Sequence, residues 1–263
     1  MQMQRILLAG VLAALFQPLF ASATEDLDQV SECMARNIPQ TTSVQTVEFR
    51  VRDRTGDETV RRAKIWGKRF EDGYRRLLMH FYEPDDIRGS ELLIHEKKQR
   101  SDMWLYPSAT RQTRRVSARG VFGSLAGTDL SYEDFERLQG LHTSSQNERQ
   151  PDSELDGQAV YVLESRPGPE EESAYEKVLT FISKEKCVPL KIESYETGGR
   201  LRKQITMGSA QRVQEAGIWL AREILVKDVR DETETRVVVE KIEIDQQLND
   251  RLFNHGQLGR RRN

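Results

Sequence analysis

The feature that most constrains this chain is a two-residue alternation that begins at Val47 and recurs almost to the end. Val47, Phe49 and Val51 alternate with Glu48, Arg50 and Arg52, and the turn residues Thr55, Gly56 and Asp57 follow. Successive side chains of a strand point to opposite faces, so this spacing specifies strands with one apolar and one polar side. Similar runs occupy 60–66, 74–82, 91–95, 102–106 and 111–116, separated by turns at 71–73 and 84–86. A polar stretch, 143–156, reads as a loop, after which runs resume at 159–164, 176–183, 188–195, 201–207, 218–229 and 235–244. Short connections between consecutive runs imply antiparallel hairpins. A sheet of eleven or so twisted strands must curl. The expected fold is therefore mainly β (α+β): an antiparallel, strongly curved half-barrel of about eleven strands. A hydrophobic content of 37% is low for a filled core but sufficient for a sheet with one apolar face around a cavity.

Two segments break the alternation. Leu27, Val30 and Met34 recur at helical spacing after Thr24, Glu25 and Asp26, predicting an N-terminal helix that starts at those residues. Later, Leu130, Tyr132, Phe135 and Leu138 follow a helical period, with Ser131 placed to cap and Asp134 three residues on, predicting a short covering helix. Ahead of both, residues 1–23 combine Arg5, an apolar run and the small-residue ending Ala21, Ser22, Ala23, the pattern of a secretory signal peptide. The expected organisation is a signal peptide over 1–23 and one soluble domain over 24–263, exported to the periplasm. In an oxidising compartment the two cysteines, Cys33 and Cys187, form either a disulfide or two separate buried thiols, and the sequence does not choose between them.

Catalytic chemistry finds little support. The four histidines, His80, His95, His142 and His255, have no metal-ligand spacing, and two cysteines are too few for a zinc knuckle. Residues 123–127 set Ser124 directly after Gly123, which is not a nucleophile elbow, and no phosphate-binding or dinucleotide motif is present. Neither catalysis, a metal nor a cofactor is expected. A formal charge of −2 offers no cationic field for nucleic acid.

The chemically richest span runs from Trp104 to Phe135. Its loop, 121–127, is apolar at Val121, Phe122 and Leu125 yet punctuated by glycine, as a lid over an apolar cavity would be. The expected cavity and lid residues are Trp66, Phe81, Trp104, Tyr106, Val121, Phe122, Leu125, Leu130, Tyr132 and Phe135. Arg111 and Arg115 would share one face of an extended strand, with Arg114 opposite. These guanidiniums suit a lipid headgroup at the rim, or ion pairs with Glu133 and Asp134.

Several ordered motifs resemble the outer-membrane lipoprotein-sorting protein family, a branch of the LolA/LolB-like superfamily. They are FYEPDDIRGSELLI from Phe81, MWLYPSATRQTRRV from Met103, GTDLSYEDF from Gly127, VPLKIESYETGGRLRK from Val188 and LNDRLFNHGQLGR from Leu248. The resemblance implies a periplasmic, eleven-stranded half-barrel closed by helices, whose cavity takes up acyl chains and whose terminal phenylalanine and leucine tuck back onto the barrel. It also implies a link to inner-membrane RND/MMPL transporters. The leading expectation is a monomeric, non-catalytic carrier of lipid or lipoprotein acyl chains. The alternative is an envelope sensor or interaction module that regulates a membrane partner.

Overall fold

A computed structural model describes residues 21–98, 100–141, 146–169 and 171–260. Most of the expected signal peptide lies outside them. The elements in chain order are α1 (Ala21–Ala35), β1 (Thr42–Arg52), β2 (Glu58–Arg69), β3 (Arg75–Glu83), β4 (Glu91–His95), β5 (Asp102–Tyr106), β6 (Arg114–Arg115) and α2 (Tyr132–Leu138). There follow β7 (Gln146–Leu155), β8 (Gln158–Arg166), β9 (Lys177–Ser183), β10 (Pro189–Glu196), β11 (Arg200–Met207), β12 (Ala210–Val213), β13 (Ile218–Ala221), β14 (Glu223–Asp228) and β15 (Thr233–Ile244).

Thirteen strands form one antiparallel sheet in the order β6-β5-β4-β3-β2-β1-β15-β14-β11-β10-β9-β8-β7. It is curved but not closed: the edge strands β6 and β7 do not pair with each other. Strands β12 and β13 make a separate two-stranded hairpin. The expected architecture is mainly β and antiparallel, as found, but thirteen strands replace the anticipated eleven. Part of the difference is β7, which lies in the stretch expected to be a loop; none of its residues is buried, so no buried face imposed an alternation on them. The run expected as one strand over 218–229 is divided, Arg222 separating β13 from β14. The run over 111–116 is strand only at Arg114 and Arg115.

The concave face holds the main core. Val47, Phe49, Ile65, Leu77, Met79, Phe81, Leu92 and Ile94 meet Ile192, Ile205, Val226 and Val237 there, together with Leu125, Leu130, Tyr132 and Phe135 of the covering segment. At its far end α1 seats Val30 on Leu163 and Ile182. The helix already runs through Thr24, Glu25 and Asp26, so those residues do not start it. Among the described residues no helix is long and apolar enough to cross a membrane.

The convex face is mostly polar, with one exception. Leu78 and Leu93, flanked by Trp66 and Trp104, form an apolar strip that the C-terminal segment covers with Phe253 and Leu258. His255 stacks on Trp104 at 5.0 Å, and His95 Nε2 shares a 2.7 Å hydrogen bond with the Phe253 carbonyl. The Tyr106 ring occupies the space a Cβ on Gly259 would need, and Gly259 has φ +72°, so only glycine fits where the strap crosses β5.

Cys33 and Cys187 form a disulfide spanning 154 residues of sequence, which ties α1 to the loop between β9 and β10. Of the two alternatives left open by the sequence, the bonded one holds. A cross-link over so long a loop restricts the unfolded chain strongly. Replacing both cysteines with serine should lower stability by about 3 kcal/mol; urea unfolding of the two forms measures it, and reductant should have the same effect on the wild-type protein only.

Candidate functional site

Under α1 and the β12–β13 hairpin the concave face is not filled. A cavity of about 500 Å³ lies there, within the roughly 300–1,000 Å³ of sites that take a small ligand. Its floor is a stripe of apolar side chains in register across neighbouring strands. Val47 pairs with Val239 and Phe49 with Val237 across β1 and β15; Val237 pairs with Ile224 of β14, and Ile224 with Met207 of β11. All six line the cavity. Met34, Ile38 and Pro39 roof it from the end of α1, Ile218, Trp219 and Leu220 from the hairpin, and Phe135 and Leu138 from α2. Ser43 and Gln45 add buried polar groups at one end. Gly67 keeps the floor open beside them, because a Cβ there would stand 2.8 Å from Leu77.

Polar anchors add to the apolar packing of the roof. Asn37 donates through Nδ2 to the carbonyls of Lys186 (2.8 Å) and Cys187 (2.9 Å) and accepts from Trp219 N (2.7 Å). One amide thus joins the end of α1, the β9–β10 loop and the hairpin. Helix α2 starts with the expected capping box between Ser131 and Asp134. At its other end Arg75 donates to the carbonyls of Gln139 (2.9 Å) and Gly140 (2.5 Å), satisfying groups a helix leaves unpaired, while Glu96 balances the guanidinium.

Beneath α2 lies a buried network. Asp134 accepts from Lys203 Nζ at 2.7 Å and from the Tyr175 hydroxyl at 2.8 Å. Glu133 accepts from Ser173 Oγ at 2.6 Å and Ala174 N at 3.1 Å. A buried carboxylate is tolerable only with such partners, so both acids are structural and clamp the helix to β11 and the segment before β9. Burial, reinforced by the charge of Asp134, pushes the Tyr175 phenol far above its ordinary range.

The structure divides the residues expected around the cavity. Leu130 and Phe135 line it. Phe81, Leu125 and Tyr132 are buried in the adjoining core, with Val121 packed against them and Phe122 half-buried nearby. Trp66, Trp104 and Tyr106 do not belong to it, because they occupy the opposite parity of their strands and sit under the C-terminal strap on the convex face. The loop 121–127, expected as a lid, packs beside the cavity and not over it. Leu125 is 1% exposed, its N–H donates to the Leu130 carbonyl at 2.8 Å, and Asp129 accepts from Thr235 of β15 at 2.6 Å. Nor do the arginines brace Glu133 or Asp134: Arg115 pairs with Asp102, Arg114 is exposed, and Arg111 sits in a turn with φ +53°. The roof residues Asn37 and Trp219 and the anchor Arg75 were missed. Only the apolar triplet Ile218, Trp219, Leu220 carried a signal, and it reads equally well as the start of a strand.

Among solved structures, the chain is similar to a DUF1329 family protein from Desulfovibrio piger ATCC 29098, with a TM-score of 0.82 at 25% identity over 90% of this chain and 98% of that one. It is also similar to a putative outer membrane lipoprotein-sorting protein domain from Vibrio parahaemolyticus, with a TM-score of 0.80 at 24% identity over 91% and 99%. A LolA superfamily protein from Nitrosomonas europaea gives a TM-score of 0.68 at 19% identity over 86% and 96%. No curated protein sequence matches the chain. A family model described as "Uncharacterized protein"-like matches residues 73–260. The chain belongs to the family that model defines, and it shares the fold of these solved structures.

The Tyr175 phenol makes a checkable statement about pH. An unfolded phenol ionises near ~10, whereas the buried one keeps its proton, so above that pH the unfolded chain binds fewer protons and stability falls as pH rises. Denaturant unfolding at neutral pH and at ~10.5 should show this loss, and Tyr175→Phe, although weaker at neutral pH, should show a smaller one.

Proposed function

We propose that this protein is a periplasmic carrier that holds an acyl chain of a lipid or lipoprotein in the cavity between the concave sheet and its roof, and hands it between envelope components without catalysis. The observation that carries this reading is the cavity itself: a continuous apolar stripe, Met207, Ile224, Val237, Phe49, across four neighbouring strands of the sheet, kept covered but not filled. An acyl chain laid on such a floor gains roughly 0.8 kcal/mol per buried methylene. Uptake and release then need the roof to shift, and beyond the packing of Val30 on Leu163 and Ile182 the α1 side of the roof is tied by polar contacts at Asn37 and by one disulfide. The same disulfide suits an oxidising compartment. The lipoprotein-sorting domain among the structural relatives supports cargo of this class. In this reading the signal peptide over 1–23 exports the protein, the carrier works as a monomer, and an inner-membrane RND/MMPL transporter is its partner. Those elements rest on the sequence pattern and the family resemblance.

Native mass spectrometry of the protein purified from its own envelope, followed by lipid extraction, tests the reading. An acyl-bearing species bound to wild-type protein is expected; a protein complex without any extractable lipid would favour a sensor or interaction module instead. Ile224→Glu, which sets a carboxylate in the apolar floor, should reduce acyl-ligand retention by at least tenfold while thermal unfolding remains cooperative, since a charge opposite the chain must be desolvated.

A further inference from the structure

One lip of the cavity carries a concentration of cations that an acyl chain alone does not use. Arg69 and Arg75 pair directly across β2 and β3, two positions beyond the Gly67–Leu77 pair of the floor, so both belong to the concave side. Arg137 lines the same cavity from the last turn of α2. Arg75 is committed to Glu96 and to two carbonyls at the helix end. The other two are not saturated. Arg69 donates through Nη1 to the Gly73 carbonyl at 2.7 Å, but among the described residues no carboxylate pairs with it and its shielded Nε has no partner. Arg137 stands 3.5 Å from Glu133, whose oxygens already accept from Ser173 and Ala174, and its Nε is likewise shielded and unpartnered. The cations on the outer side of the same edge differ: Arg76 pairs with Asp72, and Lys97 and Arg115 pair with Asp102.

Shielding a guanidinium N–H without an acceptor is unfavourable, and its best partner is a planar or tetrahedral oxyanion. We propose that the lip formed by Arg69 and Arg137 is the seat of an anionic headgroup, so that the cargo is an amphiphile whose carboxylate or phosphate oxygens lie between these two residues while its chain runs over the Val47–Val239 floor. This rests on the carrier reading and sharpens it from acyl chains in general to acidic ones. Arg75 acts as the scaffold of the seat, holding α2 at the distance that sets Arg137 above the lip.

Delipidated protein titrated with hexadecanoate, hexadecyl phosphate and hexadecanol, by displacement of a neutral fluorescent acyl probe, tests it. At least one anionic ligand should bind roughly tenfold more tightly than the alcohol, the increment expected of a charge-assisted hydrogen bond. Whether the carboxylate or the phosphate gains more identifies the headgroup. In the variant combining Arg69→Gln and Arg137→Gln the preference should vanish while the alcohol still binds. Equal affinity for all three ligands in the wild-type protein, or an undiminished preference in the variant, overturns the headgroup seat and leaves the carrier intact. Failure of all three to bind the wild-type protein overturns the carrier reading itself.

Discussion

Strands β1 and β15 come from opposite ends of the domain, and their antiparallel ladder is the contact on which the rest depends. On one side of it β1 to β6 form a meander that would be complete by itself; on the other, β7 to β11 form a second, joined to β15 through β14. Without the β1–β15 ladder these would be two smaller sheets, each with an exposed apolar face. With it, the floor of the cavity becomes continuous, because Val47 and Phe49 meet Val239 and Val237 in register. The ladder slips by one residue between Thr46 and Val47. Such a bulge increases local twist, and it lies where the sheet must curl most tightly to form a trough. Closing so long a loop is entropically costly and slow, which gives the disulfide between Cys33 and Cys187 a second use: it pins α1 to the second meander at the β9–β10 loop.

The two faces of the sheet are finished in different ways. On the convex face the C-terminal strap covers the apolar strip and buries Leu78 and Leu93, with Phe253 edge-on to Phe70 at 5.6 Å. On the concave face the loop before α2 fills the β2–β5 side in the same manner, whereas α1 and the hairpin span the β1–β15 side without filling it. That asymmetry separates a structural core from a site. The ionic network at Asp134, Lys203 and Tyr175 lies at the boundary between the two regions and fixes α2 there, which accounts for acids in the first turn that have no catalytic partner.

Much of this architecture was legible in the alternation. Strands with one buried face, such as β1 and β3, follow from residue parity because burial selects apolar side chains at every second position. The capping box at Ser131 and the turns at glycine were equally plain. What escaped had no such selection acting on it. Strand β7 buries no residue on either side, so its sequence resembles a loop. Trp66 and Trp104 are large and aromatic, yet parity places them on the strap side, and only the register with Leu78 and Leu93 reveals which face that is. Of the ten residues expected around the cavity, Leu130 and Phe135 line it, and both lie on or beside the helical period of α2. The roof could not be read, since Asn37 works through backbone carbonyls far away in the sequence.

The two free edges of the sheet have an implication for how the molecule behaves in company. An open sheet exposes unpaired backbone at both margins, a template for adding strands from other molecules. Here one margin is β6, only two residues long and both of them arginine; the other is β7, polar apart from Pro151 and Leu155 and interrupted near Pro151, where its register with β8 shifts. A short cationic edge and a broken polar one are poor templates. The sheet can therefore stay open at both margins without becoming a building block for fibres.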